Sequence, residues 1–232
     1  MSAGAFEARR AASPLRALWG TSIGKKAVMA VTGVIWVAYL ITHVLANLTV
    51  FAGPSLINRY SAMLHASGPA LWAARIVLIA AIVLHVAAAI QLTARRHAAR
   101  PVGYVRREPQ VSTLASRTIR WGGALILVFL VVHLLHFTTG TIHPDFVEGD
   151  PFHNVVVGFR NPWMVLFYLI AMAAVGLHLY HGIWSSGKTL GVTPPSPRPL
   201  RRPVAAVLGG LIWLGFTLIP IAVYAGLVGG AR

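Results

Sequence analysis

Ten histidines and no cysteine set the chemistry open to this chain. Without thiolates it has no disulfide framework and no side-chain ligands for an iron–sulfur cluster, so any metal it holds is held by imidazole. Four of the ten, His43, His85, His133 and His178, lie well inside long apolar runs. An ionisable side chain at such a position is costly, and it reads as functional by default. For any one of them the competing account is a neutral ring bonded to a neighbouring helix. Four on four consecutive apolar segments weaken that account considerably.

The segments that must position these residues are five, at about 27–51, 70–93, 121–139, 162–184 and 204–228. Each is long enough to cross a hydrocarbon core of roughly 30 Å as a helix, which takes about 20 residues. Barrel strands would instead appear as alternating segments of about ten residues. The expected fold is an all-α integral membrane protein, one five-helix domain over 1–232. Composition agrees: 56% of the 232 residues are hydrophobic and 11% charged, with a mean hydropathy of +0.70, which does not fit a water-exposed surface.

The net charge of +15 would raise the question of nucleic acid in a soluble chain. Here the basic residues fall between apolar blocks, so topology accounts for them and no nucleic-acid partner is expected. Sixteen of the twenty occupy the N-terminal segment (Arg9, Arg10, Arg16, Lys25, Lys26), the second connection (Arg95, Arg96, Arg100, Arg106, Arg107, Arg117, Arg120) and the fourth (Lys188, Arg198, Arg201, Arg202), and the first and third connections carry few. The third connection holds Asp145, Glu148 and Asp150, three of the five acidic residues. The positive-inside rule then puts the N-terminus in the cytoplasm and the C-terminus outside. The start of the chain lacks a secretory cleavage pattern, so the first helix is expected to stay in the mature protein.

Topology converts position into depth. At about 1.5 Å per residue, His43 and His133 lie roughly 24 and 20 Å from the cytoplasmic starts of their helices, in the outer half. Helices two and four run inward, and His85 and His178 fall some 13 Å short of their cytoplasmic ends. An outer pair, His43 with His133, and an inner pair, His85 with His178, result. Paired imidazoles on facing helices are what a six-coordinate b-type haem requires, since the porphyrin leaves two axial positions. Two pairs at two depths imply two stacked haems and electron transfer across the bilayer. Zinc would want four close ligands that these helices lack.

Spacing leaves two choices open. His136 follows His133 by three residues and His181 follows His178 by three, nearly on the same helix faces. Depth admits His136 as readily as His133, but disfavours His181, which lies close to the cytoplasmic rim. His136 and His181 serve equally well as partners of a ligand or of haem propionates, or as packing residues. His65, His97, His143 and His153 fall in connections and are expected to be solvated.

These residues resemble the cytochrome b subunit of succinate dehydrogenase, of the five-helix, two-haem type also found in related fumarate reductases. The resemblance runs from about 22 to 196 and rests on SIGKK at 22–26, LITHVLAN at 40–47, HLYHGIWS at 178–185 and GVTP at 191–194. It implies His133, ten residues after Gly123, as the third ligand, and His178, which opens the His-x-x-x-Gly-x-Trp run, as the fourth. His43, just before Asn47, and His85 fit the other two.

The resemblance further implies a membrane anchor in the bacterial cytoplasmic membrane. A flavoprotein subunit would oxidise succinate and an iron–sulfur subunit would pass the electrons on, both on the cytoplasmic side. This chain would then deliver them through two haem b groups to menaquinone. It implies docking on the basic cytoplasmic face, although topology explains most of those charges equally well. Lys25, Lys26 and Arg120 have suitable charge for haem propionates. His65 and Arg120 are weak candidates for a quinone carbonyl, whose pocket the sequence does not place. The chain departs from relatives that use membrane-embedded glutamates, because its apolar blocks contain no Asp or Glu. Two other readings share the histidines: a stand-alone dihaem electron carrier, and a haem-free transporter using histidines as relays.

Overall fold

A computed structural model describes residues 18–99, 113–192 and 202–230. The basic residues Arg9, Arg10, Arg16, Arg100, Arg106, Arg107, Arg198 and Arg201 lie outside these. The described residues form helices and no strand: α1 (Ser22–Leu48), a 3-10 turn (Thr49–Ala52), α2 (Pro54–Ala66), α3 (Pro69–Ala98), α4 (Leu114–Phe137), α5 (Pro151–Gly158), α6 (Pro162–Thr189) and α7 (Pro203–Tyr224). Helices α1, α3, α4, α6 and α7 are long and apolar enough to cross a membrane. Residues Ile76, Ile79, Val83 and Ile90 of α3 are each more than half exposed, an outer surface suited to lipid rather than water.

The five spans follow the apolar runs, but several extend further. Helix α4 starts at Leu114 rather than near 121, and α3 and α6 run to Ala98 and Thr189. The added turns carry Arg117 and Arg120, Arg95 and Arg96, and Lys188. Long basic side chains reach headgroups and water from such turns, so the helix continues past the hydrocarbon. Starts are set by local capping. The Thr21 hydroxyl accepts from Gly24 N–H, Thr113 and Ser116 form a reciprocal capping box, and the Asn161 amide oxygen accepts from Trp163 and Met164 N–H. Proline occupies the first turn of α2, α3, α5, α6 and α7, where its missing N–H costs nothing.

Helix α6 is the centre of the bundle, packing on α1, α4 and α7, while α1 also packs on α3 and α7. Two clusters of buried apolar residues follow from this. One holds Val44, Ala171, Met172, Val175, Leu179 and Ile212 in the middle of the bundle. The other holds Val50, Ile57, Val155, Val156, Phe159, Val165, Tyr168, Ile219 and Val223 at one end. That end is closed by α2 and α5, which pack on each other. The Asn58 amide donates to Asp150 Oδ1 at 2.9 Å, and the Phe152 N–H donates to Asn58 Oδ1 at 3.1 Å.

Arg59 and Arg160 are at this closed end, and the opposite end carries most of the described basic residues. There Arg95 donates to the Gly20 carbonyl and to Ser22 Oγ, tying the end of α3 to the start of α1. Arg120 Nη1 meets His97 Nε2 at 3.1 Å, tying α4 to α3.

Candidate functional site

The outer and inner pairs expected from depth come together. The rings of His43 and His133 lie 6.0 Å apart between centroids, and those of His85 and His178 lie 6.2 Å apart. Two imidazoles on opposite sides of one metal, at about 2.0 Å per bond, have centroids about 6.3 Å apart. Both separations therefore suit one metal between two rings. Three or more His, Asp or Glu never gather into a metal cluster among the described residues, so each pair can offer two protein donors. A porphyrin is a group that would bring four further nitrogen donors to such a pair.

The helices that carry each pair are not the ones that pack. Extensive backbone contact joins α1 to α3, α6 and α7, and α6 to α4 and α7, but neither α1 to α4 nor α3 to α6. His43 and His133 sit on the first unpacked pair, and His85 and His178 on the second. Each couple of rings thus bridges a gap that the backbones leave open. An apolar cavity of about 180 Å³ adjoins His178 between α4 and α6, lined by Ala115, Thr118, Gly122 and Ala174 among others. A groove of about 460 Å³ between α1 and α3 reaches Thr32.

For His85 a hydrogen bond selects which ring nitrogen is free. Thr32 Oγ1 donates to the Val28 carbonyl at 2.8 Å and lies 3.1 Å from His85 Nδ1. With its proton committed to Val28, the hydroxyl accepts from Nδ1–H and leaves Nε2 unprotonated for a metal. His133 Nδ1 lies 3.3 Å from Tyr168 Oη. His43 Nδ1 has Tyr39 Oη and the Asn47 amide each at 3.4 Å, the same amide lying 3.5 Å from Nε2, and the Tyr39 ring stacks on the imidazole at 5.1 Å. His178 Nδ1 is buried without a hydrogen-bond partner, so this ring keeps capacity for one more. Two glycines face the rings of the second couple, each with room for a Cβ at ordinary van der Waals distance. A Cβ at Gly33 would stand 3.6 Å from His85 Cε1, and one at Gly123 would stand 3.8 Å from His178 Cε1.

The residues left open by spacing separate here. His136 is 1% exposed and packs on Phe137, His143 and Tyr168 rather than on His43. His181 lies beside Trp184, away from His85. The expectation that His143 is solvated is wrong: it is 8% exposed. Its Nε2–H donates to the Asn154 carbonyl at 2.8 Å and its Nδ1 accepts from Asp145 N–H at 3.1 Å. Helix α5, which buries it, carries little apolar length from which to foresee it. His153 is partly covered and pairs with Asp145 at 3.2 Å. His65 and His97 are exposed, as expected of connections.

Of the cations proposed for propionates, Lys25 is 2% exposed, with its ammonium on the Trp19 carbonyl and over the Trp19 ring. Lys26 and Arg120 are exposed, Arg120 being bonded to His97. Neither His65, whose Nδ1–H donates to the Ser61 carbonyl at 2.8 Å, nor Arg120 lines either cavity. Sequence reasoning missed Thr32, Tyr39, Tyr168 and Trp36, whose buried indole N–H has no partner. The signal was present only as helical spacing, Tyr39 standing four residues before His43 and Trp36 seven. No family model, curated protein or solved structure matches this chain.

Proposed function

We propose that this chain is a dihaem membrane cytochrome b that carries electrons across the bilayer as the anchor of a succinate:menaquinone oxidoreductase. The observation that supports this most is the pair of imidazole couples, at 6.0 and 6.2 Å, each bridging two helices that do not pack on one another. When bound, each haem supplies a one-electron ferric–ferrous couple. The chain's part is to hold axial imidazoles at two levels: His43 and His133 for the outer group, His85 and His178 for the inner. On α6 the inner ligand His178 lies ten residues from Tyr168, the partner of His133, so the levels are about 15 Å apart.

The resemblance at 22–26, 40–47 and 178–194 supports the anchor role. In this reading the basic end of the bundle faces the cytoplasm, where it receives the iron–sulfur and flavoprotein subunits. The end closed by α2 and α5 faces outward, in the membrane of a bacterial cell. Menaquinone is the acceptor that the resemblance to the two-haem family members implies.

The test is a dithionite-reduced minus oxidised spectrum of the detergent-purified complex, with haem stoichiometry and the identity of co-purifying subunits. Two b haems per chain together with a flavoprotein and an iron–sulfur protein is the expected result. Two haems without those subunits would leave the stand-alone carrier. An intact preparation with no visible band would overturn the ligand assignment.

A further inference from the structure

Tyr168 is 5% exposed and sits between two histidines of the neighbouring helix. Its hydroxyl oxygen lies 3.3 Å from His133 Nδ1 and 3.1 Å from His136 Nδ1. A phenol has one proton to donate and lone pairs to accept with, and a neutral imidazole has one N–H and one acceptor nitrogen. The three groups can therefore chain in two directions. In one, His133 Nδ1–H donates to Tyr168 Oη, whose own proton goes to His136 Nδ1. In the other, His136 Nδ1–H donates to Tyr168 Oη and the phenol donates to His133 Nδ1. The second places the His133 proton on Nε2 and so blocks that nitrogen as a metal ligand. Only the first leaves Nε2 free toward the His43 ring.

His136 is packed against α5. The ring lies against bare backbone of α5, where a Cβ on Gly158 would stand 3.0 Å from His136 Cε1 and Nε2 and from His143 Nε2. His143 has no proton left for it, because its Nε2–H goes to the Asn154 carbonyl and its Nδ1 accepts from Asp145 N–H. Tyr168 is held in turn by rings on several sides: Phe159 at 4.9 Å, Phe129 at 5.1 Å and Phe137 at 5.9 Å.

We propose that Tyr168 is a positioning residue for the outer haem: its hydroxyl, handing its proton to His136, holds His133 in the tautomer that ligates through Nε2. This rests on the dihaem reading above. A bonded Nδ1–H makes the imidazole a stronger donor to iron and favours the ferric state. Losing that bond should make the outer haem easier to reduce while leaving the inner one alone.

The experiment is redox titration and low-temperature electron paramagnetic resonance of the full purified complex carrying Tyr168→Phe, which keeps the ring and removes the hydroxyl. Both haems should remain. One midpoint should rise by about tenfold in its reduction equilibrium, about 59 mV for one electron, and the same haem's low-spin signal should shift. The haem that moves should be the one lost in His43→Ala. Unchanged midpoints and signals would overturn the proposal, as would a shift confined to the other haem. Val165→Ala loosens the same buried cluster without touching either nitrogen. If it moved the midpoint equally, packing would be the cause and the proposal would fail.

Should Tyr168→Phe not assemble, His136→Ala removes the acceptor of the phenol proton from the far end of the chain. It should raise the same midpoint by a smaller factor, and no change there would overturn the proposal. Absence of haem from the unsubstituted complex would instead defeat the dihaem reading itself.

Discussion

His85 and His178 face each other across α3 and α6, two helices that make no extensive backbone contact, with their rings 6.2 Å apart. Packing alone does not produce this arrangement. Helices in lipid associate by bringing backbones together over small residues, whereas α3 and α6 meet through their imidazoles, with Gly33 of α1 and Gly123 of α4 in ordinary contact range of the two rings. The imidazoles are what spans the remaining gap. An outer couple with the same property, His43 and His133 on α1 and α4, makes coincidence a poor explanation.

Because the couples are separate, their losses should be separate. His85→Ala or His178→Ala should remove one haem and about half of the reduced-minus-oxidised absorbance, and His43→Ala or His133→Ala should remove the other. Pairing is read from electron paramagnetic resonance, where the two variants of one couple must lose the same low-spin signal. If His43→Ala and His85→Ala lost the same signal, the pairing would be wrong. His136→Ala should keep both haems; if it lost the outer one while His133→Ala kept it, the choice on α4 would be reversed.

The five spans were legible because hydrocarbon imposes a length and an apolar composition that no other architecture shares. Which histidines share a level along the bundle was legible too, since a fixed rise per residue turns residue number into height. What the sequence did not yield was everything decided across the bundle. His133 and His136 lie three residues apart on one face, and the difference between them is made by α5, whose Gly158 and His143 occupy the side that His136 faces. Helices α2 and α5 themselves went unread, though Gly53-Pro54 and Asp150-Pro151 are start signals of a familiar kind. Their apolar faces are too short to stand out beside membrane spans.

The close approach of α5 gives a second expectation. A methyl group at Gly158 would meet His136 Cε1 and Nε2 and His143 Nε2 at 3.0 Å, and neither ring can give way freely. His136 is 1% exposed and His143 is held at both nitrogens. Gly158→Ala should therefore destabilise the complex by about 1–3 kcal/mol, the usual penalty for overpacking. The check is thermal unfolding in detergent, followed by tryptophan fluorescence. Gly210→Ala is the control, because a Cβ there meets nothing within 4 Å. Equal effects from the two would mean that glycine is needed for helix packing generally rather than for the fit of α5 over His136.

The closure of this end by α2 and α5 should depend on pH through Asp150. Its carboxylate accepts from His153 N–H at 3.0 Å and from the Asn58 amide at 2.9 Å. These hold its pKa below the ordinary carboxyl value, the His153 backbone bond most strongly, against a partial opposing effect of burial. A group whose pKa is depressed by folding contributes stability above its unfolded value, about 3.9, and loses it as pH falls through the lower folded value. The part of the thermal midpoint that Asp150 contributes, read as the difference between the unsubstituted protein and Asp150→Asn, should therefore be steady from neutrality to about pH 5 and fall below about pH 4. Asp150→Asn isolates the charge, since asparagine caps a helix start about as well as aspartate does. The variant should unfold at a lower temperature at pH 6 and show a flatter decline toward pH 3. An unchanged profile in the variant would mean that the carboxylate's charge contributes nothing to holding α5 across the bundle, leaving Asn58, Asn154 and the apolar cluster around Val155 to do so alone.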